Sequence, residues 1–108
     1  MHVLLGLALL GSGLHGIVTR GPTQPVCQVG VPCSAPAVGA VLVFSHGSFT
    51  VQVRTGAGGR YSVRLAPGFY TVRVSPTPKI GRGIEPRDVR VTRSVFSRVD
   101  FSIDTGIR

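Results

Sequence analysis

The chain has no Trp and no Asn, one Lys, one Glu and two Cys. With aromatics at 6% of the residues, a core has to come mostly from Val, Leu and Ile. A single Glu and three His leave no H-x-x-E or H-E-x-x-H pattern, which argues against metal-assisted hydrolysis. Two thiolates make half a zinc site, and His15 and His46 do not stand at finger spacing from them. Beyond the first fifteen residues no stretch carries a helical period. The apolar block at the start falls short of the ~20 residues that a bilayer span needs. Neither a metal site nor a cofactor site is expected.

Short alternating runs between glycines and prolines fill most of the chain. The clearest lies in Thr55–Val74, where Tyr61, Val63 and Leu65 share one face and Ser62 and Arg64 the other. Tyr70, Val72 and Val74 then share a face opposite Thr71 and Arg73. Period-two alternation bounded by Gly and Pro marks half-buried strands. Similar runs lie at 16–20, 38–44, 49–53, 88–91 and 99–103. Seven strands in 108 residues predict an all-β, seven-stranded antiparallel β-sandwich of Greek-key type, as one domain. Two long stretches, Gly21–Ala37 and Ser75–Pro86, read as loops because Pro and Gly dominate them.

Residues 1–13 form an uncharged apolar segment ending in Gly11-Ser12-Gly13. It fits the apolar core of an export signal, although no Lys or Arg precedes it, and the alternative is an apolar first strand. The domain proper is then 14–108, secreted or held in the cell envelope. Cys27 and Cys33, with Gly30 and Pro32 between them, are expected to form a disulfide if the protein is exported. The pair is not C-x-x-C, which disfavours a redox role.

The formal charge is +8, and eleven of the twelve basic residues are Arg. Such an excess suits nucleic acid, acidic glycan or a membrane surface. The plainer reading is that Arg54, Arg64, Arg73 and Arg90 decorate outward strand positions and guard edges. The best candidate contact site is the basic loop with Lys79, Arg82 and Arg87, continued by Arg90. The arginine fork matches phosphate or sulfate oxygens. No recognition helix or stacking platform is visible, so sequence-specific reading of nucleic acid is not expected.

Gly16-Ile17-Val18, Pro36–Val41, Thr55…Gly59-Arg60-Tyr61-Ser62-Val63, Pro67–Val72 and Val99–Ile103 together resemble the carboxypeptidase regulatory-like domain, a transthyretin-like sandwich. The resemblance covers about 16–104. It implies a non-catalytic spacer or interaction domain of an exported protein, with a protein or envelope polymer as partner. Related sandwiches bind starch-like glycans on exposed aromatics. Here Phe44, Phe49, Tyr61, Tyr70 and Phe101 are expected inward or buried, leaving Phe69 and Phe96 for exposure. The purine-ring hydrolysis of some transthyretin-like proteins needs a tail that Asp104-Thr105-Gly106-Ile107-Arg108 does not supply. One such D-T-G triplet is also half an aspartic-protease site, and a turn at the chain end is the expected role. The Arg-rich, Asn-free composition fits a bacterial genome of high GC content.

Overall fold

Alternation along each strand turns into two facing layers. The structure is a computed structural model that describes residues 11–22, 30, 33–75 and 83–105. Among these it contains β1 (Gly13–Gly21), β2 (Ala35–Pro36), β3 (Val41–His46), β4 (Phe49–Arg54) and β5 (Arg60–Arg64). There follow β6 (Gly68–Ser75), β7 (Gly83–Glu85), β8 (Asp88–Val91), β9 (Phe96–Arg98) and β10 (Phe101–Asp104). The only helical piece described is a 3-10 turn at Ala57–Gly59. One sheet runs β2-β1-β10-β7, with β5 and β9 also paired to β1. The other runs β4-β3-β6-β8.

The fold is therefore all-β, in two layers. Where seven strands are expected, the described residues contain ten. Seven of the ten fall on the alternating runs, while β2, β7 and β9 are two or three residues long; β2 and β7 lie in stretches read as loops, and β9 lies between the 88–91 and 99–103 runs. Pieces that short leave no readable period. The expectation of purely antiparallel pairing is corrected too, because β1 runs parallel to both β9 and β10.

Leu14, Val18, Tyr61, Val63, Phe101 and Ile103 face Leu42, Phe44, Tyr70, Val72, Val74, Val89 and Val91 across the core. At its centre Phe44 meets Phe101 edge-on at 6.0 Å, and Tyr61 lies 5.5 Å from Phe101. Each fully buried Phe or Leu contributes roughly 1.5–3 kcal/mol through lost apolar surface. Buried polar groups are matched by carbonyls. Ser12 Oγ donates to Leu65 O at 2.7 Å, Thr55 Oγ1 to Ala37 O, Tyr61 OH to Val99 O, and Tyr70 OH to Ala66 O at 2.7 Å.

Strand β1 starts earlier than its sequence pattern indicates. Ser12 is fully buried, and Gly13 pairs with Arg64 and Phe96. Residues 1–10 lie outside the described part. The N-terminal half of β1 is flanked by β5 and β9, and its C-terminal half by β2 and β10. Both neighbouring edges break step midway. On one side the chain leaves β9 at Val99–Asp100 and re-enters as β10. There Val99 N–H donates to His15 O at 2.8 Å, and the Asp100 carboxylate accepts from Ile17 N–H at 2.9 Å. On the other side the 3-10 turn intervenes, with Gly59 at φ +75° against the Val18 carbonyl.

Gly16 stands at this break. A Cβ there would overlap the Val99 carbonyl oxygen and sit 2.7 Å from Asp100 Oδ1. Gly39, at φ +75°, has open space around it. Gly16→Ala is expected to lose about 1–3 kcal/mol by overpacking, seen as a lowered urea midpoint. Gly39→Ala should lose only the ~1 kcal/mol of left-handed strain. Equal losses at the two positions would show that the close approach at Gly16 is not what limits it.

Candidate functional site: the arginine face of the second sheet

The sequence-predicted contact residues separate in the structure. Lys79 and Arg82 lie outside the described residues, as does Cys27, so neither the basic loop nor the Cys27–Cys33 bridge is part of the geometry below. Arg87 sits in the turn before β8, where its backbone carbonyl accepts from Val72 N–H at 2.7 Å and its residue is exposed. Arg90 is in β8, and its guanidinium carbon lies 5.6 Å from the centre of the Phe69 ring. Phe69 is 70% exposed, as expected.

Arg90 is one of three arginines on the outer face of β4-β3-β6-β8. Inner positions of these strands carry the core residues, so Arg54, Arg73 and Arg90 point the other way. The register pairs Arg73 with Val43, Arg54 with Val41 and Arg90 with Phe69. Strand spacing and rise per residue place consecutive members of this diagonal roughly 12–14 Å apart. Val43 is 1% exposed although it lies on this outer side, so the long side chains around it form a cover. Arg54 Nη1 donates to the Gly39 carbonyl at 3.1 Å. Asp88 is the acid that shares the face. Among the described residues, none of the three arginines is in a salt bridge.

One aromatic departs from its expected place. Phe49 was expected inward, and it does lie on the inner side of β4 opposite His46. It is nevertheless 54% exposed. The hairpin tip projects past the core, so burial fades along this outer strand from half-buried Val53 and Val51 to Phe49. His46 bridges back across the tip through Nδ1 to the Phe69 carbonyl at 2.8 Å. Exposed Phe49 and Phe69 thus share the sheet end with Arg90. At the opposite end, a cleft of about 370 Å³ opens between the sheets over Ala37, Ala40, Val74 and Ile103, with Arg20 at its rim. Val38, expected in a covered strand, is 58% exposed in the turn beside this cleft. Asp104 belongs to β10 rather than to a terminal turn, pairing with Gly21 and Gly83.

Burial raises the Tyr61 phenol well above 10.0, with nearby Asp100 adding to the shift, and burial alone raises Tyr70. Asp100 is held below the ordinary 3.8, first by the Ile17 amide and then by Arg98. No cluster of His, Cys, Asp and Glu among the described residues has the makings of a metal site. Also among them, no helix is long and apolar enough to cross a membrane.

Comparison with protein-family models, curated proteins and solved structures gives no match.

The lowered Asp100 pKa carries a sign. A carboxyl depressed on folding adds stability that is present above its unfolded value near 3.8, and that stability is lost as the pH falls through the folded value. Asp100→Asn should therefore lower the melting temperature at neutral pH and flatten its fall as the pH drops below the ordinary 3.8. A variant whose melting temperature falls with acid as steeply as the parent's would remove Asp100 from the account.

Proposed function

We propose that this chain is a non-catalytic interaction domain, a transthyretin-like β-sandwich resembling carboxypeptidase regulatory-like domains, that binds an extended polyanion. The observation that carries this reading is the unpaired diagonal of Arg54, Arg73 and Arg90 on one outer face. Cations spaced roughly 12–14 Å apart suit a polymer that meets them in turn, such as an acidic envelope glycan. Arg90 over exposed Phe69 adds an apolar and cationic end to the track. The basic loop with Lys79 and Arg82 extends the same charge excess in the sequence.

Neutral-glycan binding is the second reading. It is favoured by the pair Phe49 and Phe69, both more than half exposed at the same sheet end.

Retention on a heparin or teichoic-acid resin tests the first reading. The Arg54/Arg73/Arg90→Ala triple variant should bind about tenfold more weakly, at the ~0.5 kcal/mol typical of exposed charge contacts. Parent retention should also fall steeply with salt. Arg93→Ala, in the turn after β8, serves as control. Equal retention of the triple variant and the control would end the proposal. Retention that survives high salt and is competed by neutral oligosaccharide would favour the second reading.

Export belongs to the same proposal, and the fold limits how it works. Gly13 opens β1, and Ser12 just ahead of it is buried with its hydroxyl donating to Leu65 O, so a cut that keeps both in place falls before Ser12. Intact mass of the secreted protein should give a chain starting at or before Ser12, one pair of hydrogens lighter than the dithiol. A full-length, reduced cytosolic form would overturn both export and the Cys27–Cys33 bridge.

A further inference from the structure

The opposite outer face holds a different kind of feature. Where the two neighbours of β1 break step, a pocket of about 230 Å³ opens, lined by His15, Gly16, Ile17, Arg60, Tyr61 and Arg98. Its position follows from the register. Arg98 in β9 pairs beside His15, and Arg60 in β5 pairs beside Ile17, so the two arginines flank β1 from opposite sides. Their α-carbons stand roughly 12 Å apart by strand spacing and rise. Both arginine side chains contribute to the pocket lining.

The pocket is organised before any ligand arrives. Asp100 accepts from both Ile17 N–H, at 2.9 Å, and Arg98 Nε, at 3.3 Å. That contact leaves the terminal nitrogens of Arg98 without an acid. Arg60 is in no salt bridge among the described residues. His15 also lines the pocket, its ring stacked on Phe96 at 5.3 Å with planes 13° apart. Ile17 is half-buried and gives the pocket an apolar part.

We infer that this pocket is a binding site for one tetrahedral oxyanion, the terminal phosphate or sulfate of a monoester. Two arginines based on opposite neighbours of β1, with an imidazole on β1 between them, suit a group with oxygens on every side. A planar carboxylate would use one fork and leave the other idle. The volume takes an oxyanion and the first carbons of its ester, which rest on Ile17. Asp100 acts as a positioning residue, holding Arg98 by Nε. The site is separate from the Arg54, Arg73 and Arg90 diagonal, which belongs to the other sheet, so it stands or falls on its own.

Amide-detected NMR titration of the full chain with inorganic phosphate, inorganic sulfate and chloride tests it. Phosphate, sulfate or both should give saturable shifts centred on Ile17, Arg98 and Asp100, and the stronger of the two identifies the ester class. Arg60→Ala and Arg98→Ala should each weaken binding by about tenfold or more, as for hydrogen bonds to charged groups. Arg60→Lys, which keeps the charge and loses the fork, should recover only part of the loss. Both arginines are exposed, so the variants keep the fold. The Arg54/Arg73/Arg90→Ala variant should bind phosphate or sulfate as the parent does. Linear shifts, shifts equally produced by chloride, or affinities unchanged in Arg60→Ala and Arg98→Ala would overturn the inference.

Discussion

The contact between Gly16 and the Val99–Asp100 segment decides how the first sheet is put together. Strand β1 is longer than any of its partners and is served by four of them. That arrangement works only if the chain can pass from β9 to β10 without leaving the edge of β1. The crossing brings the Val99 carbonyl and the Asp100 carboxylate onto the glycine, where any side chain would collide with them. Two hydrogen bonds then seal it, from Val99 N–H to His15 O and from Ile17 N–H to Asp100. Val99 also accepts from the Tyr61 hydroxyl, so the same point ties the edge to the core. The parallel pairing of β1, the central placing of Phe101 and the pocket beside Ile17 all descend from this one close approach.

Much of the layer structure could be read from alternation. Tyr61, Val63, Tyr70, Val72 and Val74 are buried, as their spacing requires, while Ser62, Arg64, Thr71 and Arg73 are exposed. The turn between the 38–44 and 49–53 runs falls at Gly47-Ser48, where glycine takes up the left-handed φ of +59°. Pairing between distant strands could not be read in this way. A period of two says which side a residue faces and nothing about its neighbour across the sheet. Parallel pairing of β1 with β9 and β10 joins residues more than eighty positions apart, and no local pattern encodes it. Phe49 failed for a related reason. Its inward side was read correctly, but the reach of the core along β4 depends on tertiary shape.

The site was legible as a class of chemistry and not as a place. Outward arginines were visible at 54, 73 and 90, yet their alignment on one face depends on the β3–β4, β3–β6 and β6–β8 registers. In the sequence His15 stands out only as a histidine without metal-site spacing to the cysteines. The signal was present in part, since His15 and Ile17 alternate with buried Leu14, Gly16 and Val18. What was missing was Arg60 and Arg98, which only the folded sheet brings alongside.

The charge itself links the two outer faces. A net charge of +8 on 108 residues works against compaction through self-repulsion. Inside the described part, one arginine is compensated, Arg98 by Asp100, and that pair is exposed and weak. The other arginines are kept apart by strand spacing and by solvent. A bound anion placed between them removes part of that repulsion, and by mass action it stabilises the folded state over the unfolded chain. On the proposed reading, fold stability and anion occupancy are coupled through the same side chains. The sandwich carries its excess charge at some cost when empty. That cost is smallest in a setting rich in anionic polymer, where the arginines are seldom without counter-charges.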